Sequence, residues 1–365
     1  MKKFLFLCLA ALLLSVGVVS AQSTPFKVAI VLPSTITDLS WSEGMYEGLL
    51  SVQKTMGGES AMQIAYTENM YDVTAAAQAI RDYADQGYNL IIAHGTQYGS
   101  VLFDVAADYP NVSFAWGTAT DTGDSQGLKN VFAYQADAEQ GGYVEGIMAA
   151  MMSKTGTIGI VGPIPAGDAL LYINGFQQGV KAAKPDANIL LAYTGGFGDT
   201  AAAAQVAKTQ IAAGADVLTG SAQQVVGAID AIQAAKGLWF GTQYDQSGQW
   251  PNTVVASENY DWVPSLTDMI TKIKSGTLGG TVYTLTLANK GLTFAYGKVT
   301  IPDDVKAAAD KAAADIVSGA ITVQQTLATP EAVEMTPEAT GTSEATPAAT
   351  MESTAAATPA ATAAS

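Results

Sequence analysis

Two spacings of hydrophobic positions alternate along most of the chain: short β-branched runs, and longer stretches with an apolar residue every third or fourth position. Residues 26–32 form an apolar run stopped at Pro33 and predict a buried strand. Ser40-Trp-Ser-Glu43 has capping-box spacing, and Trp41, Met45, Leu49 and Val52 follow at helical spacing, so a helix capped by Ser40 is expected there. Strands are then expected at 63–66, 88–93 and 112–116, with helices over 72–85 and 101–108 between them. A polar, glycine-containing break over 117–129 leads directly into a long helical pattern at 137–152. The alternation restarts with strands at 157–161, 189–193, 216–219 and 238–240, and helices over 169–183, 200–213 and up to 232. Strands at 253–257, 282–287 and 292–296, and helices at 263–275 and 303–317, complete the pattern. Alternating strands and helices predict an α/β protein built on doubly wound parallel sheets.

The two halves echo each other. DQGYNLIIAHG at 85–95 resembles AAGADVLTGSA at 212–222, and YPNVSFAW at 109–116 resembles KPDANILLAY at 184–193. Two copies without a short fixed period indicate two similar lobes and not a repeat array. The expected division is a first lobe over 22–135 with a returning segment of about 245–285, and a second over 136–244 with about 286–320. Residues 1–21 carry Lys2 and Lys3, an apolar run from 4 to 19 and small residues at 20 and 21, the pattern of a secretory signal peptide. The mature chain is therefore expected to be exported, to the periplasmic or extracellular face of the membrane. Residues 326–365 are dominated by Ala, Thr, Pro, Glu and Ser, and are expected to form a disordered tail.

Composition narrows the chemistry. Cys8, the single cysteine, lies in the leader, so disulfides, thiolate metal sites and cysteine nucleophiles are excluded from the mature chain. The net charge of −16 and the lack of any Lys/Arg cluster argue against nucleic acid as a partner. His94 is the one histidine; no G-x-x-x-x-G-K-[ST] loop or G-x-S-x-G turn occurs. No cofactor or metal is expected. The ends of the strands instead carry aromatic and polar residues: Trp41, Tyr98, Trp116, Phe197 and Tyr260, with Asp38, Ser42, Asp199, Gln243 and Asp245. In open α/β sheets ligands bind beyond the carboxyl ends of the strands. Flat aromatic faces with a few polar groups suit a neutral, flat, hydrogen-bonding ligand. A binding module is favoured; a hydrolase using His94 or a carboxylate pair is the rival.

Several short motifs occur together and in order. Asp38-Leu-Ser-Trp-Ser42 with Tyr46-Glu-Gly48, Gly95-Thr-Gln-Tyr98, Glu139-Gln-Gly-Gly-Tyr143, Gly175-Phe-Gln-Gln-Gly-Val180, Phe197-x-Asp199, Gly214-Ala-Asp216 and Asp245-Gln246 resemble the basic membrane protein (PnrA-like) family of ABC-transporter substrate-binding proteins. The resemblance covers roughly 26–300. It implies a type I periplasmic-binding-protein fold, with two lobes joined by a multi-crossing hinge, a nucleoside-like small molecule closed between them and a membrane permease as partner. The protein is expected to act as a monomer. A receptor of the same fold feeding a membrane sensor is the alternative. Trp41 and Phe197 match the family's base-stacking positions. Gln243 stands where the family has an aspartate and Tyr260 where a lysine is common. Those two groups hold the ribose in the family, so a base or another flat molecule is open.

Overall fold

The computed structural model describes residues 24–326, so the signal-peptide and tail expectations concern residues outside the described part. The first sheet contains β1 (Phe26–Val31), β2 (Met62–Thr67), β3 (Leu90–Ala93), β4 (Ser113–Gly117) and β5 (Val131–Ala136). The second contains β6 (Thr157–Gly162), β7 (Asn188–Tyr193), β8 (Val217–Gly220), β9 (Leu238–Gln243) and β10 (Val254–Tyr260). Two late strands are shared out, β11 (Val282–Leu285) to the first sheet and β12 (Leu292–Tyr296) to the second. Strand orders are β11-β5-β4-β3-β1-β2 and β12-β10-β9-β8-β6-β7, the same doubly wound plan twice. Every pair is parallel except β12, which closes the second sheet antiparallel to β10. Helices α1 (Trp41–Met56), α2 (Val73–Asp85) and α3 (Gly99–Asp108) belong to the first lobe, and α4 (Glu139–Met152), α5 (Gly167–Ala183), α6 (Thr200–Ala212) and α7 (Val225–Ala234) to the second. Helix α8 (Val263–Lys274) returns to pack on α1, and α9 (Asp303–Val317) packs on α4. The chain thus passes between lobes three times, at 136–139, 260–263 and 285–292.

Two features differ from the sequence reading. Strand β5 was not expected after the polar break; all its residues but Gln135 are buried, so it lacks the alternation that marks a half-exposed strand. Strand β10, within the segment expected to return to the first lobe, pairs instead with β9. The loop before it is tied to the second lobe: Trp250 is buried there and its Nε1 donates to Asp230 of α7 at 2.9 Å. That anchor brings the chain back beside β9 before it can leave.

Helices α4 and α5 approach so closely that backbone meets backbone. A methyl group on Gly142 or Gly146 would lie 2.4 or 2.2 Å from the carbonyl oxygens of Tyr172 and Phe176. On Gly175 or Gly179 it would lie 2.0 Å from those of Glu139 and Tyr143. The glycines of each helix therefore seat the other, which fixes the start of α4 at the first crossing against the middle of α5.

The last described residues are strapped to this crossing. Gln325 Nε2 donates to Asp137 Oδ1 and Glu139 Oε1, both at 3.1 Å, and its carbonyl accepts from Asn174 Nδ2 at 2.7 Å. Gln178 exchanges two further bonds with the Gln324 backbone, and Val323 is buried. Ending the chain at Ile321 rather than Gln325 is expected to cost about 1–3 kcal/mol, from lost hydrogen bonds worth roughly 1 kcal/mol or less each and one apolar side chain. Equal urea midpoints for the two truncations would show that the strap contributes nothing.

Candidate ligand site

The carboxyl ends of both sheets face one narrow cavity of about 40 Å³, lined by both lobes. The first lobe supplies Pro33, Trp41, Thr96, Gln97 and Thr118; the second supplies residues 166–169, Phe197, Ala222, Gln223 and Gln243. Backbone strain gathers here. Thr118, Ala222 and Gln243 line the cavity with φ of 57°, 70° and 77°, and Leu39, just before α1, has φ 53°. Left-handed conformations are unfavourable for residues with a Cβ and concentrate at functional sites. The lobes also touch around the cavity. Ser40 Oγ donates to Gln243 Oε1 at 2.5 Å, and Gln246 Nε2 donates to the Leu39 carbonyl at 3.3 Å. Gly198 of the second lobe lies against the Tyr71 hydroxyl of the first, where a Cβ would be only 2.2 Å away.

Asp38, and not Ser40, caps α1. Its carboxylate accepts the N–H groups of Ser40, Ser42 and Glu43 at 3.0, 3.1 and 3.1 Å. Burial raises its pKa while these backbone bonds act in the opposite direction. Glu43 reaches back to the N–H of Leu39 at 2.7 Å. The capping-box reading is thus displaced: with Asp38 holding the free N–H groups, the Ser40 hydroxyl is released to bridge to the second lobe.

Trp41 stands on the cavity wall and in the core. Its ring stacks on His94 at 3.9 Å and 4°, and Tyr260 and Trp262 meet it edge-on at 6.4 and 5.9 Å. Its Nε1 donates to the His94 carbonyl at 3.0 Å. His94 returns the bond from Nε2 to the Trp41 carbonyl at 2.9 Å. A carbonyl only accepts, so Nε2 carries the proton, and Nδ1 accepts from Tyr134 Oη at 2.7 Å. Burial lowers the His94 pKa to about 3, in keeping with this neutral tautomer. Both ring nitrogens are occupied, so His94 is a brace between β3 and α1 rather than a free base.

Of the ten residues expected at the site, Trp41, Phe197 and Gln243 line the cavity. Ser42 is buried on α1 beside Asp38, and neither lines it. Tyr98 lies in the first-lobe core, with its hydroxyl on the Met70 carbonyl at 2.6 Å. Trp116 supports the cavity loop from behind, donating from Nε1 to the Gly95 carbonyl at 3.1 Å. Asp199 caps α6 through Ala202 N at 2.9 Å. Asp245 and Tyr260 border a separate surface pocket that shares only Gln243 with the first. The sequence reading missed Asp168 and Gln223, each a buried polar residue on the cavity wall. Their signal was position: each follows a second-lobe strand, in PIPAGD after β6 and SAQQ after β8.

Two doubly wound lobes, three crossings and an aromatic cavity at the strand ends define a type I periplasmic solute-binding protein. A solute-binding protein of Conexibacter woesei superposes on this chain with a TM-score of 0.67 at 24% identity, over 82% of this chain and 98% of its own. The chain belongs to the PnrA-like family of ABC transporter substrate-binding proteins, whose model matches residues 26–326. It is 30% identical to the transcriptional activator protein Med of Bacillus subtilis, over 70% of this chain and 79% of that protein. It is 27% identical to a purine-binding protein of Brucella abortus, over 80% and 81% of the two chains. The family is one of extracytoplasmic binding proteins and not an enzyme class. No helix among the described residues is long and apolar enough to cross a membrane.

Proposed function

We propose that this chain is the exported receptor of an ABC importer and takes a purine nucleobase in preference to a ribonucleoside, handing it to a membrane permease. The observation that carries this reading is the cavity itself. Trp41 and Phe197 face it from opposite lobes, and no Lys, Arg or His lines it among the described residues. Such a wall disfavours phosphates and carboxylates and suits a flat, uncharged or donor-rich ring. Tyr260 supports base over nucleoside. It stands where the family commonly has a ribose-holding lysine, yet here it is buried with its edge on Trp41 and Trp262. Gln243, in the aspartate's place, is bonded to Ser40. The purine-binding relative from Brucella points the same way.

Native mass spectrometry of freshly purified protein, followed by calorimetry with bases and their ribosides, tests the reading. A base is expected to bind at least about tenfold tighter than its riboside; tighter binding of the riboside, or of a free sugar, overturns it. Phe197 is only half-buried, so it is the cleaner stacking probe. Phe197→Ala should weaken base binding by about ten- to a hundredfold, for a stack worth about 1–3 kcal/mol, with melting temperature nearly unchanged. Trp41→Ala should weaken binding and also destabilise by about 3–5 kcal/mol, because that ring is core as well as wall. Wild-type affinity in a folded Phe197→Ala protein would remove it from the site.

A further inference from the structure

Two buried residues of the cavity wall, Asp168 and Gln223, carry side-chain oxygens with spare acceptor capacity. Asp168 lies in the first turn of α5, lines the cavity and is 2% exposed. One of its oxygens, Oδ2, accepts the N–H of Ala136 at a long 3.3 Å. Gln223, on the loop between β8 and α7, lines the same cavity, is 8% exposed, and has no partner for Oε1. Buried acceptors without donors are unfavourable, so the wall is complementary to a molecule that brings its own N–H groups. No cation lines the cavity among the described residues to supply that complement.

We propose that Asp168 and Gln223 read the donor edge of the ligand, so that the preferred base presents an exocyclic amine beside a ring N–H, as guanine does. This rests on the nucleobase reading above and narrows it to an amino-substituted purine. The carboxylate accepts from the amine and the ring N–H together, and the Gln223 oxygen accepts a second amine hydrogen or another ring N–H. The start of α5 favours this arrangement, because the positive end of the helix dipole stabilises a carboxylate in its first turn. Burial raises the Asp168 pKa, and N–H donors from the ligand act in the opposite direction, so the carboxyl gives up its proton as the base binds.

Guanine and hypoxanthine differ only by the 2-amino group and so isolate the donor. Titrations followed by tryptophan fluorescence should give wild-type protein at least about tenfold tighter binding of guanine. Asp168→Asn keeps an oxygen for Ala136 N but turns a donor toward the amine, and should bring the guanine-to-hypoxanthine ratio down to near one. Gln223→Leu, which has no Oε1 bond to lose, should lower the ratio about threefold or more without changing the melting temperature. A purely structural role would weaken both bases alike and leave the ratio intact. An unchanged ratio in Gln223→Leu, or wild-type preference for hypoxanthine, overturns the proposal even if Asp168→Asn fails to fold. Failure of the wild-type protein to bind any purine instead overturns the nucleobase reading beneath it.

Discussion

The protein is expected to be most stable near pH 5 and to lose several kcal/mol of stability by pH 8. Four carboxyl groups are buried around α4 and the cavity: Glu139, Glu145, Asp168 and Glu258. Burial raises all four pKa values, Glu139 to about 7 and the others well above their ordinary values. Their bonds come from neutral donors: Gln325 to Glu139, Tyr172 to Glu145, the Ala136 amide to Asp168 and Thr242 to Glu258. None forms a salt bridge among the described residues. A carboxyl with a raised folded pKa holds a proton that the unfolded chain has released. Stability therefore falls as pH rises from the unfolded value, near 4.5 for glutamate, toward the folded one. For Glu139 that window runs from 4.5 to about 7 and is worth about 3 kcal/mol. His94 opposes the trend below 6.5, since its folded pKa is lowered to about 3 and the unfolded chain binds the extra proton. One histidine against four carboxyls leaves the acidic side favoured until the unfolded carboxyls themselves protonate. Melting temperature should be at least about 5 °C higher at pH 5 than at pH 8. Glu258→Gln keeps the oxygen that accepts from Thr242 and should be more stable than wild type at pH 8, with a shallower pH slope. A wild-type melting temperature that is flat or rises from pH 5 to 8 would show that the four groups are ionised in the folded state.

The second large effect is expected at Gly175. An alanine methyl there would fall 2.0 Å from the Glu139 carbonyl oxygen and 2.5 Å from its Cα, so one helix must move. Side chains can rotate away from such a clash; helical backbone cannot without breaking its own hydrogen bonds. Gly175→Ala should cost about 4 kcal/mol or more, at the exceptional end for a single methyl. Because α5 also carries Asp168, any folded fraction should bind ligand more weakly. Gly248→Ala is the control: it has open space and should change stability by less than about 0.5 kcal/mol. A Gly175→Ala protein that melts within a degree of wild type would mean that α4 and α5 separate freely.

The sequence by itself determined the two-lobed α/β plan, since alternating hydrophobic periods leave few ways to bury both faces of each sheet. It also marked Trp41, Phe197 and Gln243, because strand ends in this fold must meet the cleft. It did not separate them from Tyr98 and Trp116, which follow strands just as closely. Whether an aromatic after a strand turns into the cleft or back under the sheet depends on partners distant in sequence: the Met70 carbonyl draws the Tyr98 hydroxyl into the core, and the Gly95 carbonyl holds the Trp116 indole. Capping followed the same logic. Ser40 and Glu43 have the right spacing, but Asp38 reaches the N–H groups first, and only the opposing lobe gives Ser40 its partner in Gln243, 203 residues away. Strand β10 joined the second sheet through Trp250 and Asp230, a contact without a local pattern. Asp168 and Gln223 looked like loop polar residues in the sequence. Only the packing of one lobe on the other encloses them in a common cavity and leaves the Gln223 oxygen without a donor, because burial is a property of the assembled surfaces and not of any one segment.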